Sequence, residues 1–262
     1  MIDRPFLRLA AALVVPALAV GGLTACQGDA DTTATTTTST TVAVAPAPST
    51  VPVDTTRAYF DSLAAGAIDV TAAAPAGSDA DVFAVHQQAA RAILGQTSER
   101  RVNATAAGFD VCDGPACTSY TAVVNDPATG LVVTFSIDGV ALAGRVSGEG
   151  PIADRDGIVV HVVSAYRSSG DELFVVLEVT DDATATVELF DFAAVYEPTG
   201  LGGGFEATGA WGVTTVEPGE TVRQLVRFPG ADPGGRLRLT GLRSDGLDVA
   251  FDLVVPAPTS TP

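Results

Sequence analysis

Three cysteines and two histidines are the residues of this 262-residue chain whose types could support nucleophilic, redox or metal chemistry. Cys26 follows an apolar run, Cys112 and Cys117 enclose the sequence DGPA, and His86 and His161 lie far apart. Catalytic thiols need a nearby base or a C-x-x-C spacing, and zinc sites need further ligands at short spacing. The sequence shows neither pattern, so it predicts no catalytic residue, no metal site and no cofactor.

Cys112 and Cys117 are the two cysteines that remain if Cys26 has a separate role, so they can pair with each other. The Gly114-Pro115 dipeptide between them favours a tight turn that brings the two sulfurs together. We therefore predict a disulfide, which implies an oxidising compartment. A redox or zinc role for the pair is the weaker alternative, because the spacing is not C-x-x-C and no histidine lies nearby.

Cys26 ends a segment with the layout of an export signal. Arg4 and Arg8 precede an apolar core at residues 9–20, and small residues come before the cysteine. The sequence LTAC at residues 23–26 resembles the lipobox of bacterial lipoproteins, in which the cysteine becomes the lipid-modified first residue of the mature protein. This resemblance implies a signal peptide at residues 1–25 and a palmitate-type lipid anchor on Cys26.

The lipid anchor would place the protein at the extracytoplasmic face of the cell membrane. Each buried methylene contributes about 0.8 kcal/mol, so two acyl chains would outweigh the repulsion between the bilayer and an acidic protein. Two alternatives stay open. A plain secretory signal needs no cysteine at its cleavage site, and an uncleaved anchor helix would need roughly 20 apolar residues without the interruption at Pro16.

The charge balance excludes one class of partner. The net charge is −17, and all 14 basic residues are arginine, which is typical of a GC-rich, actinobacterial-type genome. Such an acidic surface repels phosphate backbones, so we expect no nucleic acid partner. The partners that we expect are the membrane, through the anchor, and an envelope protein or a small apolar ligand.

Two segments lack the apolar clusters that a folded core needs. Residues 26–56 consist largely of threonine, alanine, valine and proline, and residues 256–262 are similar. We predict that they form a disordered spacer and a disordered tail.

Residues 57–150 predict a small α+β domain with two helices on a four-stranded antiparallel sheet. Its helix-then-sheet order resembles the cystatin-like and nuclear-transport-factor-like rolls. Ser78 and Asp81 form a capping-box pattern that begins the second helix, and Asp138-Gly139 is a hairpin turn pair. The predicted core positions of the helices, at helical spacing, are Tyr59, Phe60, Leu63, Val82, Val85, Ala89 and Ile93. The predicted strands are residues 102–111, 118–124, 131–137 and a return strand that contains Val140, Leu142 and Val146.

Residues 156–255 predict an all-β, immunoglobulin-like sandwich. Apolar residues alternate along six or seven short segments, as expected for strands with one buried face. The sequences ELFVVLEVTDDATATVELF, VEPGETVRQLVRFP and LDVAFDL resemble the telokin-like immunoglobulin domains of secreted Gram-positive lipoproteins. This resemblance implies an extracellular sandwich and transfers no catalytic residue.

Phe205 and Trp211 are candidate contact residues, because both are aromatic and lie between glycine-rich turns. A tryptophan in the sandwich core is the alternative for Trp211. His86 and His161 fit structural, partly buried positions.

Together, the predicted anchor, the two predicted domains and the absence of a catalytic pattern predict a binding or accessory module of the cell envelope. The alternatives are an enzyme that processes envelope polymers through paired carboxylates, and a structural surface antigen.

Overall fold

Two helices and three antiparallel sheets form the part of the chain that this computed structural model describes, which is residues 53–66, 73–200 and 202–258. Four predictions fall outside these residues: the signal peptide, the lipidation of Cys26, the part of the disordered spacer before residue 53, and the part of the disordered tail after residue 258. No helix within the described ranges is long and apolar enough to cross a membrane.

The helices are α1 (Val53–Ala65) and α2 (Asp79–Ile93). The strands in the first half are β1 (Arg101–Ala104), β2 (Gly108–Asp113), β3 (Ala116–Asn125), β4 (Val132–Ile137), β5 (Val140–Ala141), β6 (Val146–Ser147), β7 (Ala153–Arg155), β8 (Ile158–Arg167) and β9 (Glu172–Asp181). The remaining strands are β10 (Val187–Leu189), β11 (Val195–Pro198), β12 (Phe205–Glu206), β13 (Gly209–Gly212), β14 (Thr215–Val216), β15 (Thr221–Pro229), β16 (Gly235–Arg243) and β17 (Asp248–Val255).

The first helix begins inside the segment that we predicted as spacer, so the boundary at residue 56 is wrong. Tyr59, Phe60 and Leu63 are buried as the spacing predicted. These residues lie in the second half of the helix, and its first turn is also in contact with the sheet. Asn125 Nδ2 donates a hydrogen bond of 2.8 Å to Thr56 Oγ1, which holds that turn against the sheet.

The second helix begins at the predicted cap but turns a different face to the core. The Ser78 side chain accepts the Asp81 N–H, as the capping box requires. Val85, however, is 38% exposed, whereas Phe83 and His86 are buried. A single apolar stripe therefore does not describe α2, because the helix packs against two surfaces and its buried arc is wider than one stripe.

The first sheet has five strands in the order β1-β2-β3-β4-β5 instead of the predicted four. The segment predicted as one strand at 102–111 divides into β1 and β2, because the Thr105 N–H donates to the Gly108 carbonyl and closes a tight turn. The return strand ends after Ala141. Val146 lies in β6, which pairs with β8 of the next sheet.

The predicted disulfide is present in the hairpin of β2 and β3. Cys112 and Cys117 are directly opposed across the two strands, with their Cα atoms 4.0 Å apart and Gly114 at a positive φ in the turn between them. Close Cα atoms are typical of antiparallel pairs that exchange no backbone hydrogen bond. The disulfide therefore joins two residues that the hairpin already places side by side.

A two-sheet sandwich forms the second half of the chain, and it is immunoglobulin-like as predicted. One sheet has the strand order β8, β9, β15, β13. In the other sheet, β16 pairs with β17 on one side and with the two short strands β10 and β11 on the other side. In chain order these are the ABED and CFG sheets of the constant-type immunoglobulin arrangement. Strands β6 and β7 also pair with β8, so the sandwich sheet begins before residue 156, the boundary that we predicted.

Helix α2 packs between the first sheet and the outer face of the sandwich. Toward the first sheet, the Phe83 ring contacts the rings of Tyr120 and Phe135, and it also contacts Tyr166 near the end of β8. Toward the sandwich, Ala89 packs in a second cluster, which we call the α2 junction and which contains Ala89, Val163, Val176 and Leu225. The described residues accordingly belong to one compact unit.

Replacing Phe83 by alanine should lower the free energy of unfolding by about 3–5 kcal/mol, because it removes a ring that contacts three other aromatic rings. The matched control is Val85→Ala on the same helix, which should change stability by no more than about 0.5 kcal/mol. Urea unfolding followed by far-UV circular dichroism measures both. Equal losses for the two variants would contradict the orientation of α2.

Replacing Cys112 and Cys117 together by serine should cost about 2 kcal/mol, because the disulfide closes a loop of only six residues. Reduction of the wild-type protein should cost a similar amount in the same urea titration. The double variant should be insensitive to the reductant. A reductant effect that persists in the double variant would contradict the assignment.

Candidate functional site

The face of the sandwich that α2 covers is built from rows of directly paired residues. One row contains Trp211, Leu225, Val176 and Ser164, and a neighbouring row contains Arg227 and Phe174. Helix α2 covers Leu225 and Val176 and leaves Trp211 only partly buried at the edge. The sequence alone did not indicate that these residues are neighbours, because they come from separate strands.

Three side chains from the edge strand β13 and the two strands next to it form what we call the aromatic–arginine face: Trp211, Arg227 and Phe174. The Arg227 Cζ atom lies 5.7 Å from the centroid of the Trp211 ring, a cation–π distance. Arg227 Nη1 also lies 3.3 Å from Glu172 Oε1, and Arg227 donates to the Thr208 carbonyl. The guanidinium is thus held in place while part of it stays accessible to solvent.

A groove of about 360 Å³ borders the aromatic–arginine face where α2 ends. Its apolar wall comes from Ile93 and from Val213, which is 52% exposed. Arg223 lines the groove as well, and its Nη2 atom lies 2.8 Å from Glu178 Oε2. Apolar surface beside two positioned arginines is a surface that can bind another protein.

Phe205 lies apart from Trp211. It is in β12, at the edge of the opposite sheet, and packs against the sandwich core, whereas Trp211 packs against the α2 junction. The two predicted contact residues are therefore not brought together in one cluster. That either residue contacts a partner stays a prediction.

His86 is buried where α2 meets the sandwich. It is 2% exposed, and its Nδ1 atom is hydrogen-bonded to Ser164 Oγ at 3.1 Å. Strand β8 is irregular between Val162 and Ser164, which turns the serine toward the helix. Burial lowers the pKa of His86 to about 3.

The His86–Ser164 pair is structural, not nucleophilic. A catalytic serine must reach a substrate, but Ser164 has no exposed surface. A ring with so low a pKa is also a poor general base near neutral pH. His161 is partly exposed, three residues before Ser164 on β8, and lies opposite Glu178 on the neighbouring strand.

A second cleft, of about 300 Å³, lies beside the first half of α2. Asp81 and Glu149 are its carboxylates, and Asp81 Oδ2 accepts the Gly77 N–H at 2.8 Å. Asp79 and Asp191, in contrast, are buried carboxylates whose pKa values are raised by burial, and they lie on separate elements. Within the described ranges, no three His, Cys, Asp or Glu side chains are grouped to hold a metal ion.

Comparisons with known proteins assign no family. No protein-family model and no curated protein matches the chain. Among solved structures, the yeast GGA1 GAE domain is 11% identical, with 41% of this chain and 98% of that chain covered and a TM-score of 0.27. The archaellum periplasmic stator protein FlaG from Sulfolobus acidocaldarius is 10% identical, with 34% and 91% covered and a TM-score of 0.22. A chain of the stator complex of FlaF and FlaG from the same organism is 12% identical, with 34% and 82% covered and a TM-score of 0.20. TM-scores this low carry no argument about what this chain does.

Proposed function

We propose that this protein is a lipid-anchored, extracytoplasmic binding or accessory module that presents the aromatic–arginine face to an envelope protein. The observation that carries the proposal is the position of Trp211 and Arg227, which stack at the uncovered edge of a rigid sheet beside an apolar groove. Tryptophan and arginine are the residues most enriched among those that dominate binding energy at protein interfaces.

The surrounding ion pairs favour a protein partner. Arg227 and Arg223 are held by Glu172 and Glu178 on the neighbouring strand, so a partner would lose little side-chain entropy in binding them. A small apolar ligand would need an internal cavity. The space between the helices and the first sheet is instead filled by aromatic rings such as Phe60, Phe109 and Tyr120.

Three finer assignments belong to the same proposal. The two helices and the first sheet would form an α+β domain of the cystatin-like or nuclear-transport-factor-like type, and the sandwich would be of the telokin-like type. Cys26 would carry the lipid. The disulfide between Cys112 and Cys117 supports a location outside the cytoplasm, because such bonds persist in oxidising compartments.

An enzyme acting on envelope polymers is the alternative function, and the cleft with Asp81 and Glu149 is the observation that favours it. Paired carboxylates across a cleft can serve as acid and base in glycoside hydrolysis. Replacing them by Asp81→Asn and Glu149→Gln should abolish hydrolysis of cell-wall glycans if this alternative is correct. A surface antigen would show neither hydrolysis nor a partner.

Replacing Cys26 by serine should abolish incorporation of labelled palmitate and release the protein from the membrane fraction, because serine provides no thiol for the lipid. Thr24→Ser is the matched control within LTAC and should leave labelling unchanged. Metabolic labelling followed by fractionation measures both. Palmitate labelling that persists in the Cys26→Ser protein would contradict the anchor.

A photo-reactive residue introduced at Val213 should crosslink to a discrete partner in intact cells, because Val213 lies in the groove and is exposed. The double change Trp211→Ala and Arg227→Ala should remove at least nine-tenths of this adduct, as expected for residues that dominate an interface. The control site is Leu247, which is 53% exposed in the turn before β17.

A partner captured equally from Val213 and Leu247 would contradict the assigned surface. So would an adduct that survives the double change while circular dichroism shows an unaltered fold.

A further inference from the structure

We infer that the contact between α2 and the sandwich is pH-sensitive, and that protonation of His86 releases the helix from the sheet. The inference goes beyond the proposed function and does not require it. It depends on the placement of one ionisable ring, that of His86, between α2 and strand β8 beside the α2 junction.

The His86 ring is enclosed by groups that favour its neutral form. Its described hydrogen-bond partner is the hydroxyl of Ser164, which is itself fully buried. The ring centroid lies 5.5 Å from that of Tyr166, whose hydroxyl has its pKa raised by burial to about 12 and is therefore uncharged. A proton on His86 would place a positive charge among apolar and neutral groups, which costs free energy.

Charged groups on the surrounding elements do not compensate this charge. Within the described part of the chain, none of the ion pairs includes His86. Glu172 and Glu178 on β9 are paired with Arg227 and Arg223 on β15. The remaining titratable groups on neighbouring elements are Asp79, Asp81 and Arg91 on α2, Glu149 before β7, His161 and Arg167 on β8, and Asp181 at the end of β9.

Three of these groups have contacts of their own. Arg91 donates to the carbonyls that end α1, at a distance of 2.7 Å for the Ala64 carbonyl. Arg167 is paired with Asp171 and Asp232. Asp81 accepts a backbone N–H, and it lines the neighbouring cleft together with Glu149.

The direction of the effect follows from proton linkage. When α2 is released, the ring regains the pKa of about 6.5 that an exposed histidine has. The open state therefore binds the proton more readily, and the packed state is fully favoured above pH 6.5 and loses stability as the pH falls. The ratio of packed to open protein should fall about tenfold for each pH unit between about 6.5 and 3.

Release of α2 would change the surroundings of Trp211. The helix residues Ala90 and Ile93 pack against the same cluster as this tryptophan. Trp211 is also the only tryptophan in the chain, so its fluorescence reports this contact without interference from other tryptophans.

The experiment follows Trp211 fluorescence of the purified full chain from pH 7.5 to 4.0, together with hydrogen exchange of α2 amides. In the wild-type protein we expect a red shift of emission below pH 6, with about a 50-fold change in the opening equilibrium between pH 6.5 and 4.5. The protection factors of the α2 amides should fall by a similar ratio, once the measured rates are corrected for the slower intrinsic exchange of amides at low pH. His86→Gln cannot be protonated and keeps an amide that can bond to Ser164, so the transition should disappear. His161→Gln, which removes the other histidine, should retain it.

Identical transitions in the wild-type and His86→Gln proteins would overturn the inference, since carboxylates would then explain the change. If His86→Gln does not fold, an NMR titration of the two histidine rings of the wild-type protein tests whether protonation of His86 accompanies the change at Trp211. His86 should stay neutral until the fluorescence changes. Protonation of His86 near pH 6.5 with no change at Trp211 would also overturn it.

Discussion

Helix α2 has to bury two faces at once, and the rest of the described structure depends on that requirement. Small residues make it feasible, because Ala84 can approach the first sheet while Ala89 approaches the sandwich. Polar contacts secure both ends of the helix. The Tyr59 hydroxyl donates to the Ala80 carbonyl at 2.7 Å, and Arg91 donates to the carbonyls that end α1. The first sheet and the sandwich are thereby joined through one helix.

Covering one face of the sandwich with a helix determines what remains available for contact. The inner faces of both sheets form the apolar core, and α2 covers the middle of one outer face. The edge of that face stays open at Trp211 and Arg227, where neighbouring carboxylates hold the arginines in place. A binding role fits such a surface because its strongest contact groups are already ordered before a partner arrives.

Local patterns were sufficient wherever neighbours in sequence are also neighbours in space. The Ser78 cap, the disulfide between Cys112 and Cys117 and the hairpin turn at Asp138-Gly139 each involve residues within six positions of one another. Alternating apolar residues also predicted the long strands of the sandwich, because each such strand has one face in the core.

By itself, then, the sequence determined the helix cap and the disulfide, because each depends on short-range spacing. The alternation of apolar residues predicted the long strands, and their number and lengths are typical of an immunoglobulin-like sandwich. Tertiary structure alone decided that Val85 faces solvent, that Val146 pairs with the sandwich and that Phe174 lies beside Arg227. These outcomes depend on which distant segments pack together. Side-chain periodicity along one strand or helix carries no information about the register or orientation of its partner.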